Sequence, residues 1–153
     1  MFVFSIKTSK KQLIRLAGGA AIVAAALLLT LFVPKAGLPT AAKGAASEDR
    51  IAFLSALGYE ADAAAVEVRE LLIPDEFDDV FVAYNELQKQ ADMDLTPYQN
   101  KRVKRYTYAV TNLPDRPQLQ AHLLVYKGKI IGGDLTDAAD SEFMTALIPR
   151  SAD

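Results

Sequence analysis

Residues 16–33 form a run of eighteen residues without a charged side chain, and this run constrains the chain more than any other feature. At about 1.5 Å per helical residue it spans roughly 27 Å, close to the ~30 Å hydrocarbon core of a bilayer. All charges before it are basic, namely Lys7, Lys10, Lys11 and Arg15. Basic residues beside a spanning helix stay in the cytoplasm. We therefore expect a cytoplasmic tail at 1–15, one transmembrane helix at 16–33 and an extracytoplasmic C-terminal domain in the cell membrane.

A cleaved signal peptide is the alternative, because a basic start before an apolar run is also typical of export signals. The apolar region of such signals usually spans 7 to 15 residues, so the length of this run favours a retained anchor. In both cases the rest of the chain leaves the cytoplasm. The chain contains no cysteine, which excludes disulfides, thiolate metal sites and an N-terminal lipid anchor on a cysteine.

The remainder of the chain divides into a spacer and a domain. Residues 34–46 contain two prolines and mostly small residues, which predicts a flexible spacer. Residues 47–153 are long enough for one hydrophobic core and short for two. After residue 33 there are 13 basic and 19 acidic residues, and this negative balance argues against nucleic acid as a partner.

The local patterns of residues 47–153 predict an α+β domain. Ser47, as an N-cap, and Gly58, as the closing residue, frame a helix. A strand at 66–73, an amphipathic helix at 75–90 and a short helical turn within 91–100 follow. Strands are then expected at 101–111, 121–126 and 129–132, with Lys127 and Gly128 as the hairpin turn, before a weak helix at 141–147. We predict an antiparallel sheet with two or three helices packed on one face.

No catalytic, cofactor or metal-binding pattern stands out. His122 is the sole histidine, and no partner for acid–base chemistry is evident beside it. Asp92 and Asp94 begin like a calcium loop, but Pro97 occupies the position that requires glycine. The acidic cluster at 75–79 fits a helix N-terminus. The segment 132–134, Gly-Gly-Asp, is interpreted as a strand end that turns into a loop. We expect no cofactor and no metal, and we favour a non-enzymatic role.

One strand carries the candidate binding residues. Alternation places Arg102, Lys104, Tyr106 and Tyr108 on one face. Cations beside aromatic rings suit acidic envelope polymers or lipid headgroups. The alternative is a solvated strand whose lysines prevent edge-to-edge pairing. The binding hypothesis requires that both tyrosines are exposed.

The outer part of the chain resembles a family of small membrane-anchored proteins of Gram-positive bacteria that carry domain of unknown function 4830. The similar segments are RIAFL (50–54) with GY (58–59), IPDEF (73–77) with YNELQ (84–88), Asp94-Leu95 with Tyr98, VKRYTY (103–108), LLVY (123–126) and IIGGD (130–134). In that family Asn is usual at the position of His122, which weakens a catalytic role for this histidine. The resemblance implies an anchored extracytoplasmic domain and supplies no activity, ligand or catalytic residue.

These observations predict a single-pass membrane protein that presents a binding or interaction domain outside the cytoplasm. Its expected partners are the bilayer through residues 16–33 and either an acidic envelope polymer or a membrane protein. A cell-envelope enzyme and a regulatory subunit of a membrane complex are the alternatives. Small residues in the apolar run, such as the Ala20/Ala24 pair, would suit helix pairing in the second alternative.

Overall fold

The computed structural model describes residues 42–150. The predicted basic tail, the predicted transmembrane helix and the predicted spacer up to residue 41 lie outside the described residues. Within residues 42–150, no helix is long and apolar enough to cross a bilayer.

The described part is an α+β domain built on one five-stranded sheet. Helix α1 (Ser47–Ala56) and helix α2 (Asp79–Lys89) accompany strands β1 (Glu67–Leu72), β2 (Arg102–Ala109), β3 (Leu119–Tyr126), β4 (Lys129–Asp137) and β5 (Asp140–Ala146). A 3₁₀ turn spans Thr96–Tyr98. The strands lie in the order β1-β2-β3-β4-β5, and each pairs with its neighbours antiparallel. The predicted antiparallel sheet is confirmed.

The two helices cover opposite faces of the sheet, so the prediction that they share one face is wrong. Phe53 and Leu54 of α1 join a core with Tyr108, Leu123 and Leu135. Residues of α2 join a second core, whose buried members are Ile73, Leu95, Val103, Leu124 and Ile131. Side chains alternate along each strand, and the two cores draw on alternate positions. Both faces of the sheet are therefore buried, each under its own helix.

The first helix begins one residue earlier than a Ser47 cap would place it. Ala46 is the N-cap, and the Asp49 carboxylate accepts a hydrogen bond from its N–H at 3.4 Å. The Ser47 hydroxyl instead donates to the carbonyl of Ala63 at 3.1 Å. The predicted end is confirmed, because Gly58 has φ +84°, a conformation in which a Cβ is disfavoured.

The second helix is shorter than predicted and buries different residues. Asp78 caps it, and its Oδ1 accepts from the N–H of Phe81 at 2.8 Å. The amphipathic pattern of the segment predicts a buried apolar stripe of Phe77, Val80, Phe81, Tyr84 and Leu87. Within this stripe Val80 is instead 77% exposed. The fully enclosed residues of α2 are Asn85 and Gln88. Phe81 and Tyr84 are partly buried against the second core, and the buried residues of the helix are polar.

The segment 141–147 lies almost wholly in strand β5 and does not form the predicted weak helix. Residues 140–146 pair with β4, so the hydrogen-bonding groups of that open edge are satisfied. The predicted hairpin turn before β4 is confirmed, since Lys127 (φ 47°) and Gly128 (φ 76°) both have positive φ.

Part of the predicted spacer belongs to the folded domain. Ala42 accepts a hydrogen bond from the N–H of Ile130 at 2.8 Å, and Gly44 donates to the carbonyl of Gly128 at 2.9 Å. The backbone of Lys43 forms an isolated antiparallel β-bridge with that of Lys129. The folded domain therefore starts before Ser47.

Candidate functional site

A cavity of about 320 Å³ lies between α2 and the sheet face that this helix covers. Its apolar walls come from the end of β1, from β2 and β3, from α2 and from β5, and include Leu71, Ile73, Phe81, Val103, Leu124 and Met144. Its polar groups are Tyr84, Arg105, His122, Asp134 and Thr136. A concave, mostly apolar site with a few converging polar groups is typical of small-molecule binding.

The register of the sheet brings the polar groups together. Thr107 of β2 lies opposite His122 of β3, and His122 lies opposite Asp134 of β4. Arg105 lies two residues before Thr107, so its side chain emerges on the same face. Three strands thus place one cation, one imidazole and one carboxyl group beside α2.

Asp134 is the most deeply buried acid of the site, with 3% exposure. Its Oδ1 accepts a hydrogen bond from the Tyr84 hydroxyl at 2.7 Å. Burial raises the pKa of Asp134 above its ordinary value, and the hydrogen bond from Tyr84 opposes that rise. Burial, together with the neighbouring Asp134 charge, raises the pKa of Tyr84. The phenol therefore stays protonated and holds the carboxyl group in place.

His122 is buried with both ring nitrogens in hydrogen bonds. Nδ1 lies 2.9 Å from Oγ1 of Thr107, and Nε2 lies 2.8 Å from Oγ1 of Thr136. Burial lowers the pKa of His122, so the ring is neutral near pH 7. A neutral imidazole can donate from one nitrogen and accept at the other. Proton abstraction by His122 would break one of these two hydrogen bonds. The ring of His122 is placed to link β3 to β2 and β4 through the two threonine hydroxyls.

Arg105 carries the unsatisfied hydrogen-bonding capacity of the site. Its side chain is 29% exposed, and Nη2 lies 3.4 Å from Oε2 of Glu67. Its Nε is buried and has no hydrogen-bond partner among the described residues. A buried donor left unpaired costs about 1 to 3 kcal/mol. An acceptor brought by a ligand would satisfy it.

The four predicted binding residues do not form one exposed surface. Arg102 and Lys104 are exposed, Tyr106 is half-buried and Tyr108 is fully buried at 0% exposure. Arg50 of α1 contacts both tyrosines: its guanidinium carbon lies 3.7 Å from the centroid of the Tyr106 ring, and its Nε donates to the Tyr108 hydroxyl at 2.7 Å. The expected exposure of Tyr108 is wrong, because α1 packs on this face. The condition that both tyrosines are exposed is therefore not met, and any binding by Arg102 and Lys104 would not involve the Tyr108 ring.

The segment 132–134 lies in the middle of β4 and not at a strand end. A Cβ on Gly133 would lie 2.7 Å from the carbonyl oxygen of His122 and 2.8 Å from a methyl carbon of Leu147. A Cβ on Gly132 would lie 3.0 Å from Oε1 of Gln88. The two glycines therefore permit the close approach of α2 and of the chain after β5. Gln88 uses this proximity to accept from the N–H of Gly133 at 2.8 Å.

Sequence reasoning did not identify Tyr84, Arg105 or Asp134 as site residues. Arg105 lies among several cations of a single strand, and Asp134 follows two glycines that suggest a loop. Alternation along β2 separates Arg105 from Arg102 and Lys104 and was the one available signal. The convergence of the three residues depends on strand register and on the placement of α2.

Comparisons with curated proteins and with solved structures find no match. A family model described as Domain of unknown function (DUF4830) matches residues 53–135. The matched segment begins in α1, ends in β4 and includes Tyr84, Arg105, His122 and Asp134. It covers more than half of the chain. The chain therefore belongs to the DUF4830 family.

Proposed function

We propose that the domain binds a small amphipathic molecule with an acidic group in the cavity between α2 and the sheet. The observation that carries this proposal is the buried Nε of Arg105, which has no acceptor among residues 42–150 and lies in a residue that lines the cavity. The acidic group of the ligand would meet this guanidinium. Its apolar part would lie against side chains such as Phe81 and Leu124.

The charges of the site favour an acid over an amine. Arginine stays protonated, and its planar guanidinium suits carboxylate oxygens. Asp134 already accepts from Tyr84, and burial favours its neutral form. Its attraction for an ammonium group is thereby reduced. Known small-molecule pockets span about 300 to 1,000 Å³, so this cavity suits a small ligand.

Ligands of one shape and different charge test the proposal. The probes are 3-phenylpropionate, 3-phenylpropylamine and 3-phenylpropanol, added to the full chain in detergent while thermal unfolding is followed. We expect the carboxylate to raise the midpoint most, since binding to the native state alone stabilises it. Arg105→Gln should abolish the advantage of the carboxylate over the alcohol. Arg69→Gln is the matched control, because Arg69 lies opposite Arg105 on β1 and is exposed.

Two results would contradict the binding proposal. The first is equal stabilisation by the carboxylate and the amine. The second is a preserved preference for the carboxylate in the Arg105→Gln variant. Either result would show that Arg105 does not determine the preference for an acidic ligand.

A cell-envelope enzyme is the second candidate, and one observation favours it. Asp134 is a buried carboxyl group with a raised pKa in a cavity, which is a common arrangement for an acid–base catalyst. The test is a screen for hydrolysis of envelope fragments by the full chain and by Asp134→Asn. Turnover that the variant loses while it keeps its fold would favour the enzyme.

We also propose that residues 16–33 anchor the chain as a single-pass membrane protein, with residues 1–15 in the cytoplasm and the domain outside. The uncharged run and the basic residues before it support this topology. Because the chain has no cysteine, cysteines introduced one at a time can be labelled to determine the topology. In intact bacterial cells, a membrane-impermeant maleimide should label Ala139→Cys and not Ser5→Cys. The reverse pattern, or labelling of neither residue before lysis, would contradict the topology.

A further inference from the structure

Basic residues concentrate at one end of the sheet. Strands β2 and β4 begin there, and β3 ends there. We call this the basic end, formed by the six exposed residues Lys43, Lys101, Arg102, Lys104, Lys127 and Lys129. They are half of the twelve basic residues between positions 42 and 150. Half of the basic residues thus lie at one end of the sheet, although acidic residues outnumber basic ones between positions 42 and 150.

The basic end has few acidic partners. Within the described residues, Arg102 alone of the six forms a salt bridge, with Glu70 at 3.1 Å. Asp75 and Glu76 follow β1 at the same end, in the segment that leads to α2. Arg102, Lys104 and Lys127 line one open groove of about 370 Å³ on the face that α1 covers further along. Like charges held together repel one another, so an anionic surface would stabilise this arrangement.

The chain enters the folded domain at the same end. The carbonyl of Ala42 and the N–H of Gly44 bond to Ile130 and Gly128, at the start of β4. Only residues 34–41 separate this point from the uncharged run that ends at Val33. Eight residues reach at most about 30 Å when fully extended. In a chain anchored by residues 16–33, this length allows the basic end to reach the membrane surface.

We propose that the basic end binds the phosphate groups of anionic lipids in the membrane that holds the anchor. This proposal rests on the anchor part of the proposed function and is independent of the cavity. Attraction between lysines and anionic lipids acts within a Debye length, about 8 Å at physiological salt. A short tether keeps the effective concentration of the surface high, so weak attraction suffices for docking. An acidic polymer is the competing occupant.

Site-specific fluorescence on the full chain tests the docking. An environment-sensitive dye is attached at Ala45→Cys, beside the basic end, or at Ala139→Cys, beyond the opposite end of β4. Each labelled chain is reconstituted into vesicles that contain headgroup-quencher lipid, with or without about 30% phosphatidylglycerol. We expect roughly threefold stronger quenching at position 45 than at position 139 in anionic vesicles, and loss of this difference at about 0.5 M salt.

Charge variants separate docking from simple tethering. Lys127→Gln with Lys129→Gln removes two of the six cations and should shift the quenching at position 45 toward the level in neutral vesicles. Arg69→Gln with Lys89→Gln removes two exposed charges elsewhere and should leave it unchanged. Equal effects of the two double variants, or equal quenching at positions 45 and 139, would overturn the proposal.

Two further outcomes identify which proposal has failed. If the chain does not float with vesicles in a density gradient, both the anchor and the docking proposals fail. If the chain floats, shows no lipid-dependent quenching and changes its dye emission only when soluble polyphosphate is added, the occupant is an acidic polymer and the lipid proposal alone fails.

Discussion

Arg50 is the residue whose replacement most directly tests the packing of α1. It is 6% exposed, and no carboxylate among residues 42–150 lies within ion-pair distance of it. Its Nε donates to the Tyr108 hydroxyl, and Nη1 donates to the carbonyls of Gly44 and Ala45 at 2.7 and 2.9 Å. It also lies over the Tyr106 ring. One buried guanidinium thus joins the first described segment to α1 and β2.

The perturbation is Arg50→Met, which keeps most of the volume and removes every donor. Two buried acceptors, the Gly44 carbonyl and the Tyr108 hydroxyl, then lose a charged partner, whereas the exposed Ala45 can be rehydrated. Hydrogen bonds to charged groups contribute about 1.5 to 3 kcal/mol each, and a desolvated cation–π contact about 2 kcal/mol. Methionine, unlike arginine, has no charge that must be desolvated on folding, and this difference offsets part of the sum. We expect a loss of about 3 to 5 kcal/mol in unfolding free energy.

Urea unfolding of the full chain measures this loss, with Tyr108→Phe as the comparison. Tyr108→Phe removes one of the three hydrogen bonds and should cost about 1 to 2 kcal/mol. The double variant should lose less than the sum of the two single losses, because both remove the same contact. A loss below about 1 kcal/mol for Arg50→Met, or additive losses, would refute the view that Arg50 ties these segments together.

Three further substitutions test the packing around β4 and the 3₁₀ turn. Gly133→Ala should lower the unfolding free energy by about 1 to 3 kcal/mol, because the new Cβ meets the backbone carbonyl of His122. Gly132→Ala should cost less, because its new Cβ meets only side-chain atoms. A larger cost at position 132 than at position 133 in the same urea assay would contradict the packing argument. Asp94 accepts hydrogen bonds from Asn85 and Thr96, and these bonds lower its pKa to about 2. The charge of Asp94 therefore stabilises the fold above pH ~4, and this contribution is lost as the pH falls toward 2. Asp94→Asn should therefore be less stable than the parent at pH 7 and approach it near pH 2, and a gap independent of pH would show that the charge of Asp94 does not matter.

Local sequence signals correctly predicted elements whose cause is local. The alternation after Lys101 predicted β2, the Lys127-Gly128 pair predicted the hairpin turn, and Gly58 marked the end of α1. Each of these depends on residues within a few positions of one another. The resemblance to DUF4830 was likewise readable from short segments and is confirmed by the family match.

The prediction failed where a distant segment supplied the decisive contact. Residues 140–146 form a strand because β4 offers them an open edge. Tyr108 is buried because α1 packs on its face of the sheet, and Arg50 of that helix, 58 positions away, donates to its hydroxyl. The apolar stripe of α2 predicted Val80 inside, whereas contacts with β4 enclose Gln88 instead. None of these contacts leaves a periodic signal in the sequence.

The sequence by itself determined the uncharged run, the absence of cysteine, the excess of acids in the outer part and the α+β class, because these depend on composition and local periodicity. Only the tertiary structure decided that the helices lie on opposite faces and that Tyr84, Arg105 and Asp134 converge on one cavity. Strand register and the position of α2 bring together residues up to 50 positions apart. A shift of register by one residue would turn Arg105 and Asp134 to the opposite face, so the site exists only in the assembled sheet.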